Sequence, residues 1–267
     1  VELGAGCACF VAPEERPTTP TPARITDRAG CMVCGAPLEY LETVATARCH
    51  FCGRELPSSA RCAAGHFVCD VCHAEDAVEV IRAICSSSDG TDMVELMRRI
   101  RAHPSVPIHG PEHHVMVPAV IVAAARSAGL PLGPEHLDTA ISRGQTIAGG
   151  ACAFMGACGA AIGVGIGFAT VLAANPYQAQ SRQQVQQLVG RALARIADLE
   201  AARCCQRDCW LALQEAAAAS EELLGVRLSA AELIRCDQVA ANQECLGAAC
   251  PLWPAPRRPD TARLPVL

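Results

Sequence analysis

The chain has no lysine. All 22 basic residues are arginine, set against 27 acidic ones, for a net charge of −5 over 267 residues. A lysine Schiff base and a phosphate loop built on lysine are therefore excluded. Aromatics make up only 3% of the residues. With a negative net charge, this argues against a surface that binds polyanions or stacks on bases. No opening segment joins a charged stretch, an apolar stretch and a cleavage site in the manner of a secretory signal. No internal repeat is visible. At 51% hydrophobic the chain is too apolar for disorder.

Cysteine is what the sequence has in quantity. Its 18 cysteines are about 7% of the chain, below the roughly 8–10% of a small disulfide scaffold. Residues 31–73 hold four pairs of candidate ligands: Cys31/Cys34, Cys49/Cys52, Cys62/His66 and Cys69/Cys72. A C-x2-C knuckle sets two thiolates on one metal, and the glycine that follows the first two knuckles suits the turn. The favoured pairing is cross-braced. Cys49 and Cys52 join Cys69 and Cys72 across an expected hairpin, as in a treble clef, leaving Cys31, Cys34, Cys62 and His66 for a second site. Two alternatives stay open: Cys31/Cys34 with Cys49/Cys52, and His73 in place of His66. Two zinc ions are the expected occupants, with rubredoxin-like iron as the minor option. So short a segment cannot build a sufficient core alone, and metal would supply its folding energy.

Beyond residue 86 the pattern turns helical. Helices are expected near 74–85, 92–103, 115–128, 134–148, 180–201 and 208–224, with a short tail helix from Ser229 capped through Glu232. Residues 151–174 carry no formal charge and are long enough to span a bilayer. Their many glycines and missing aromatic belt favour a buried central helix of a bundle instead. The expected organisation is a flexible lead (1–28), a zinc-binding treble-clef or ribbon module (29–86), a helical cysteine-rich domain (87–250) and a loose tail (251–267). The fold class is mainly α, with a buried glycine-rich central helix. Knuckles without a signal peptide point to the cytoplasm rather than to a membrane or secreted setting.

The second set of cysteines is not arranged as knuckles. Cys152 and Cys158 lie among seven glycines at the entry to the central helix, where backbone amides would favour a thiolate. Cys204 and Cys205 are vicinal, with Arg203 and Arg207 expected to lower thiol pKa values or hold an anion. Asp208 reads as an N-cap. Cys236, Cys245 and Cys250 close the set. His109, Glu112, His113 and His114 enter an apolar helix, where polar groups need a partner or a ligand. His103 and His136 are expected at the surface.

The order of these motifs resembles an uncharacterised family of cysteine-rich proteins from anaerobic bacteria and archaea, sometimes fused to methyltransferase-like domains. The motifs are C-x2-C-G, C-x2-C-G, G-H-F-V-C-D-x-C-H, I-H-G-P-E-H-H, G-G-x-C-x-F-x-G-x-C-G-A-A-x-G and R-C-C-x-R-D. The resemblance implies that Cys152, Cys158, Cys204, Cys205, Cys236, Cys245, Cys250, His109, His113 and His114 belong to the family pattern. The stretch around Cys158 is more distantly similar to a family with a GCAxxG-type motif, held to be redox-active. Cys7, Cys9 and Cys209 fall outside both patterns.

The leading expectation is a metal- and thiol-dependent enzyme. Some of Cys152, Cys158, Cys204, Cys205, Cys236, Cys245 and Cys250 would ligate an iron–sulfur cluster, with the [4Fe–4S] type expected. The wider cofactor environment would include His109, His114 and Arg207. Cys152 and Cys158 are the candidate nucleophiles, with His113 or Glu112 as base. The reaction would be sulfur transfer or a redox step on a small substrate or sulfur donor. Two alternatives remain: a cluster-free thiol–disulfide enzyme, and a zinc-stapled module that binds a protein or, less readily, RNA.

Overall fold

A computed structural model describes residues 31, 33, 34, 36, 38–69, 77–230, 234–242 and 244–254. The expected lead 1–28, Cys7, Cys9, Cys72, His73 and Glu232 lie outside the described residues. Two antiparallel strands, β1 (Leu38–Arg48) and β2 (Glu55–Cys62), open the chain. Leu38 pairs with Cys62 and Arg48 with Glu55, with one irregularity between Tyr40 and Ala45. The hairpin thus flanks the Cys49/Cys52 knuckle instead of following it. The alternating, Thr- and Val-bearing run of β1 favours a pleated strand, and the knuckle forms the tight turn at its tip.

Eight helices follow among the described residues: α1 (Ala77–Ser86), α2 (Met93–Arg101), α3 (Glu112–Ser127), α4 (Pro134–Gln145), α5 (Ala151–Phe154), α6 (Gly159–Val171), α7 (Ala179–Ala197) and α8 (Cys205–Leu224). Asp92 caps α2, its carboxylate accepting from the amides of Val94 (2.9 Å) and Glu95 (3.1 Å). Gly129 (φ +99°) follows the C-cap of α3 at the stop its sequence indicates.

Helices α3 and α6 occupy the middle of the bundle. Helix α3 packs on α1, α2, α4, α6 and α8, while α6 also meets α7. Twelve of the residues of α3 are buried, so it is apolar on all sides for the reason a surrounded helix must be. Small residues set the spacing. A Cβ on Gly167 would come within 2.9 Å of Ile121, and one on Gly144 within 2.8 Å of the α3 backbone at His114 and Val115.

The run 151–174 is not one helix. It breaks between Met155 and Cys158, where Gly156 takes φ +65° and Cys158 is the extended N-cap of α6. No helix among the described residues is long and apolar enough to cross a membrane. The tail helix expected from Ser229 falls partly outside the described residues; Ser229 itself bridges to Asp92, and residues 234–236 are not helical. The C-terminal segment is anchored by buried Leu252, whose carbonyl accepts the Cys236 amide at 2.8 Å.

Candidate metal centres and the cysteine cleft

Local turns bring the first thiols together. The ligand atoms of Cys31, Cys34, Cys62 and His66 all lie within 4.8 Å of one another, and so do those of Cys49, Cys52 and Cys69. In the first group Cys34 Sγ is 3.5 Å from Cys62 Sγ, which is 3.7 Å from His66 Nδ1. In the second, Cys52 and Cys69 sulfurs are 3.8 Å apart. Cys31 and Cys34 therefore group with Cys62 and His66 rather than with Cys49 and Cys52. Both groups could hold a metal ion.

Electrostatics favour the sulfur anion at Cys62 and Cys52, whereas at Cys34 the Ala36 amide is outweighed by Cys62, burial and Cys31, and the thiol is raised. Burial opposes ionisation of Cys62, but the Ala64 amide, Cys34 and His66 outweigh it and bring the thiol down to about 6. At Cys52, burial is likewise outweighed, chiefly by Arg54, giving about 7. The module is not separate from the helices. Ser87 donates to the Cys52 carbonyl, Arg99 Nη2 donates to the Phe51 carbonyl at 3.2 Å, and Phe51 packs edge-on against His103 with centroids 4.3 Å apart. His103, expected at the surface, is consequently buried.

The helical-domain thiols divide at the start of α8. Cys204, its N-cap, lines a narrow cleft with Cys236, Cys245, Cys250 and Arg207, whose free volume of about 10 Å³ is roughly that of one water molecule. Cys205 and Cys209 lie one turn apart on α8, and Cys158 is a further thiol beside Cys209. Cys209, given no role from sequence, is fully buried.

The expected low thiol pKa values do not hold here. Burial, with Asp208 beside it, pushes Cys158 up to about 11 despite the Ala160 and Ala161 amides. Burial also raises Cys204 and Cys205, outweighing Arg207 and Arg101 respectively. Asp208 is not the N-cap. It is buried beside Arg207, and that burial raises its carboxyl pKa against the guanidinium. Cys152 is exposed on α5.

One local geometry links the two thiol regions. Cys34, Cys52 and Cys62 each accept the amide two residues on, from Ala36, Arg54 and Ala64. In the helical domain, Cys158, Cys236 and Cys245 do the same with Ala160, Gln238 and Gly247. Cys204 accepts the Arg207 amide and the Gln238 side chain. Each amide favours the thiolate of the sulfur it reaches, although burial leaves Cys158, Cys204 and Cys236 raised overall.

The histidines support this framework. His109 Nδ1 accepts the Cys205 amide at 3.5 Å, so Nε2 donates to Asn242 Oδ1 at 3.0 Å. His113 is buried, donates from Nδ1 to the Gly110 carbonyl at 3.2 Å, and presents Nε2 to the Arg101 guanidinium. Burial first and Arg101 second bring its pKa down to about 3. A nitrogen already accepting from arginine is not free to act as the expected base. Glu112 Oε2 is buried without a hydrogen-bond partner among the described residues. His114 donates to the Ile147 carbonyl at 3.2 Å, and its ring lies against Gly159. Arg101, Gln238 and Asn242 were not legible as site residues; their only sign is a polar residue close in sequence to a cysteine or histidine.

The family model for the family of unknown function DUF5714 matches residues 81–253, and the chain belongs to that family. No curated protein and no solved structure matches it.

Proposed function

We propose that this member of DUF5714 is a metal- and thiol-dependent enzyme with two zinc ions in its N-terminal module and an iron–sulfur cluster in its helical domain. The observation that carries this reading is the cleft on which Cys204, Cys236, Cys245 and Cys250 converge. Four thiols fit the donor set of a [4Fe–4S] cluster. The amides directed at Cys204, Cys236 and Cys245 support the same choice. These sulfurs do not meet the tight spacing of the two N-terminal groups, and a cluster holds its thiolates farther apart than a single ion does. When bound, the cluster would supply electrons or an iron that accepts sulfur.

The chain's own residues would position that centre. His109 and Asn242 tie the Cys205 amide to the loop bearing Cys245, while Arg101 and Gln238 steady Cys204. The reaction proposed is sulfur transfer or a redox step on a small substrate. Exposed Cys152 would be the nucleophile that meets it, with Cys158 behind it. The fifteen described cysteines are all free thiols, which supports a reducing compartment such as the cytoplasm.

Anaerobic purification with zinc and iron counted separately tests the reading. Roughly four irons per chain and broad visible absorbance are expected. Loss of iron but not zinc in Cys236→Ser and Cys245→Ser would support the cleft as its place. A colourless, iron-free protein would overturn it.

A further inference from the structure

Arg207 is 3% exposed and uses two of its three guanidinium nitrogens within the protein. Nε donates to Asp208 Oδ1 at 3.0 Å, and Nη2 donates to the Ala202 carbonyl at 3.0 Å while lying 2.9 Å from Asp208 Oδ1. Nη1 has no hydrogen-bond partner among the described residues. Arg207 lines the cysteine cleft, whose other walls include Val239, Leu246, Leu252 and Trp253. Nη1 is not fully buried and stays open to whatever occupies the cleft, water included. Helix α8, 20 residues long, begins beside the same cleft and turns the positive end of its dipole towards it.

We infer that the cleft binds a sulfur anion, hydrosulfide or a thiolate, on Nη1 of Arg207 beside Cys204. The inference rests on the proposed function in treating the cleft as the working site, and it names the chemistry of what enters. The arginine fork decides between anions. Its Nε/Nη2 edge faces Asp208, and the second Nη2 hydrogen is committed to Ala202. A carboxylate or phosphate is best held by two parallel N–H groups, and no such edge remains. Nη1 offers contact to a single acceptor atom. A soft sulfur anion also loses less hydration than an oxyanion on entering apolar walls. The step is binding alone: no bond forms and no electron moves.

Calorimetric titration of the full chain tests this, using iron-loaded and iron-free preparations with zinc retained. Sodium hydrosulfide, sodium acetate and inorganic phosphate are the probes, at constant ionic strength. Saturable hydrosulfide binding is expected in both preparations, with acetate and phosphate at least about tenfold weaker. Arg207→Lys keeps a cation but loses the fork and should weaken hydrosulfide binding by about tenfold or more. The double variant Arg207→Met/Asp208→Leu removes the buried pair together and should abolish binding without the penalty of a lone charge. Exposed Arg98→Gln should match wild type. Equal hydrosulfide affinity in the Arg207 variants, equal affinity for the oxyanions, or no hydrosulfide binding in either preparation would overturn the inference. Wild type that emerges from anaerobic purification without iron, yet binds hydrosulfide through Arg207, overturns the cluster reading alone.

Discussion

The side-chain amide of Gln238 donates to the sulfur of Cys204 at 3.7 Å, joining a C-terminal loop to the first turn of α8. The same side chain accepts from Arg101 Nη2, and Arg101 in turn faces His113. One glutamine therefore connects a cleft thiol to the end of α2 and the start of α3. Gln238→Ala should lower stability by about 1–3 kcal/mol, because it leaves buried polar groups short of a partner. Denaturant unfolding measures this; an unchanged midpoint would show that the connection is incidental.

Metal removal should act unequally on the two N-terminal groups. Cys49, Cys52 and Cys69 belong to the buried core, and Phe51 between the first two contacts His103. Cys34, in the other group, is exposed. Cys49→Ser/Cys52→Ser should therefore lower the thermal midpoint of the helical body more than Cys31→Ser/Cys34→Ser does. Zinc counts and thermal unfolding on the same samples check it.

Close packing around α3 predicts a glycine effect. Gly144→Ala sets a methyl 2.8 Å from the α3 backbone, which cannot swing aside, and should cost about 1–3 kcal/mol. Gly149→Ala meets nothing within 4 Å and should change stability little. The difference in unfolding midpoint between the two variants is the measurement.

Burial of neutral His113 gives the fold a pH dependence of definite sign. Its folded pKa is about 3 against an ordinary 6.5. Below 6.5 the unfolded chain takes up a proton that the folded chain refuses, so stability falls as pH drops from 6.5 towards 3. His113→Gln, which does not titrate, should flatten that part of the profile. Parallel curves of thermal midpoint against pH for the two proteins would refute the attribution.

Thiol labelling should follow exposure and ionisation together. Cys152 is exposed, whereas burial puts Cys85 up to about 12 and raises Cys209 well above its usual range. Native protein should be alkylated at Cys152 first, with Cys85 and Cys209 reacting only after unfolding. Peptide mass spectrometry over time distinguishes the sites.

Much of this protein could be read without coordinates where the interaction is local. A knuckle places two sulfurs by the geometry of four consecutive residues, so Cys31/Cys34 and Cys49/Cys52 stood out by spacing. Gly129 as a helix stop is likewise decided within one turn. The strand 38–48 was overlooked because the cysteines around it drew the hairpin to the wrong side of the knuckle. The break in the run 151–174 was hidden because glycine suits both a packed helix and a turn.

Amino-acid order alone settled the class of the fold and the thiol-rich character of both ends. Packing decided which thiols meet. Cys204 and Cys205 are adjacent in the chain, yet one lines the cleft and the other neighbours Cys209. Burial, which only the assembled helices create, also reversed the expected ionisation of these thiols and removed His113 from acid–base chemistry. The physical reason is range: turns and caps are written in a few neighbouring residues, whereas desolvation and cleft lining depend on side chains brought together from distant parts of the chain.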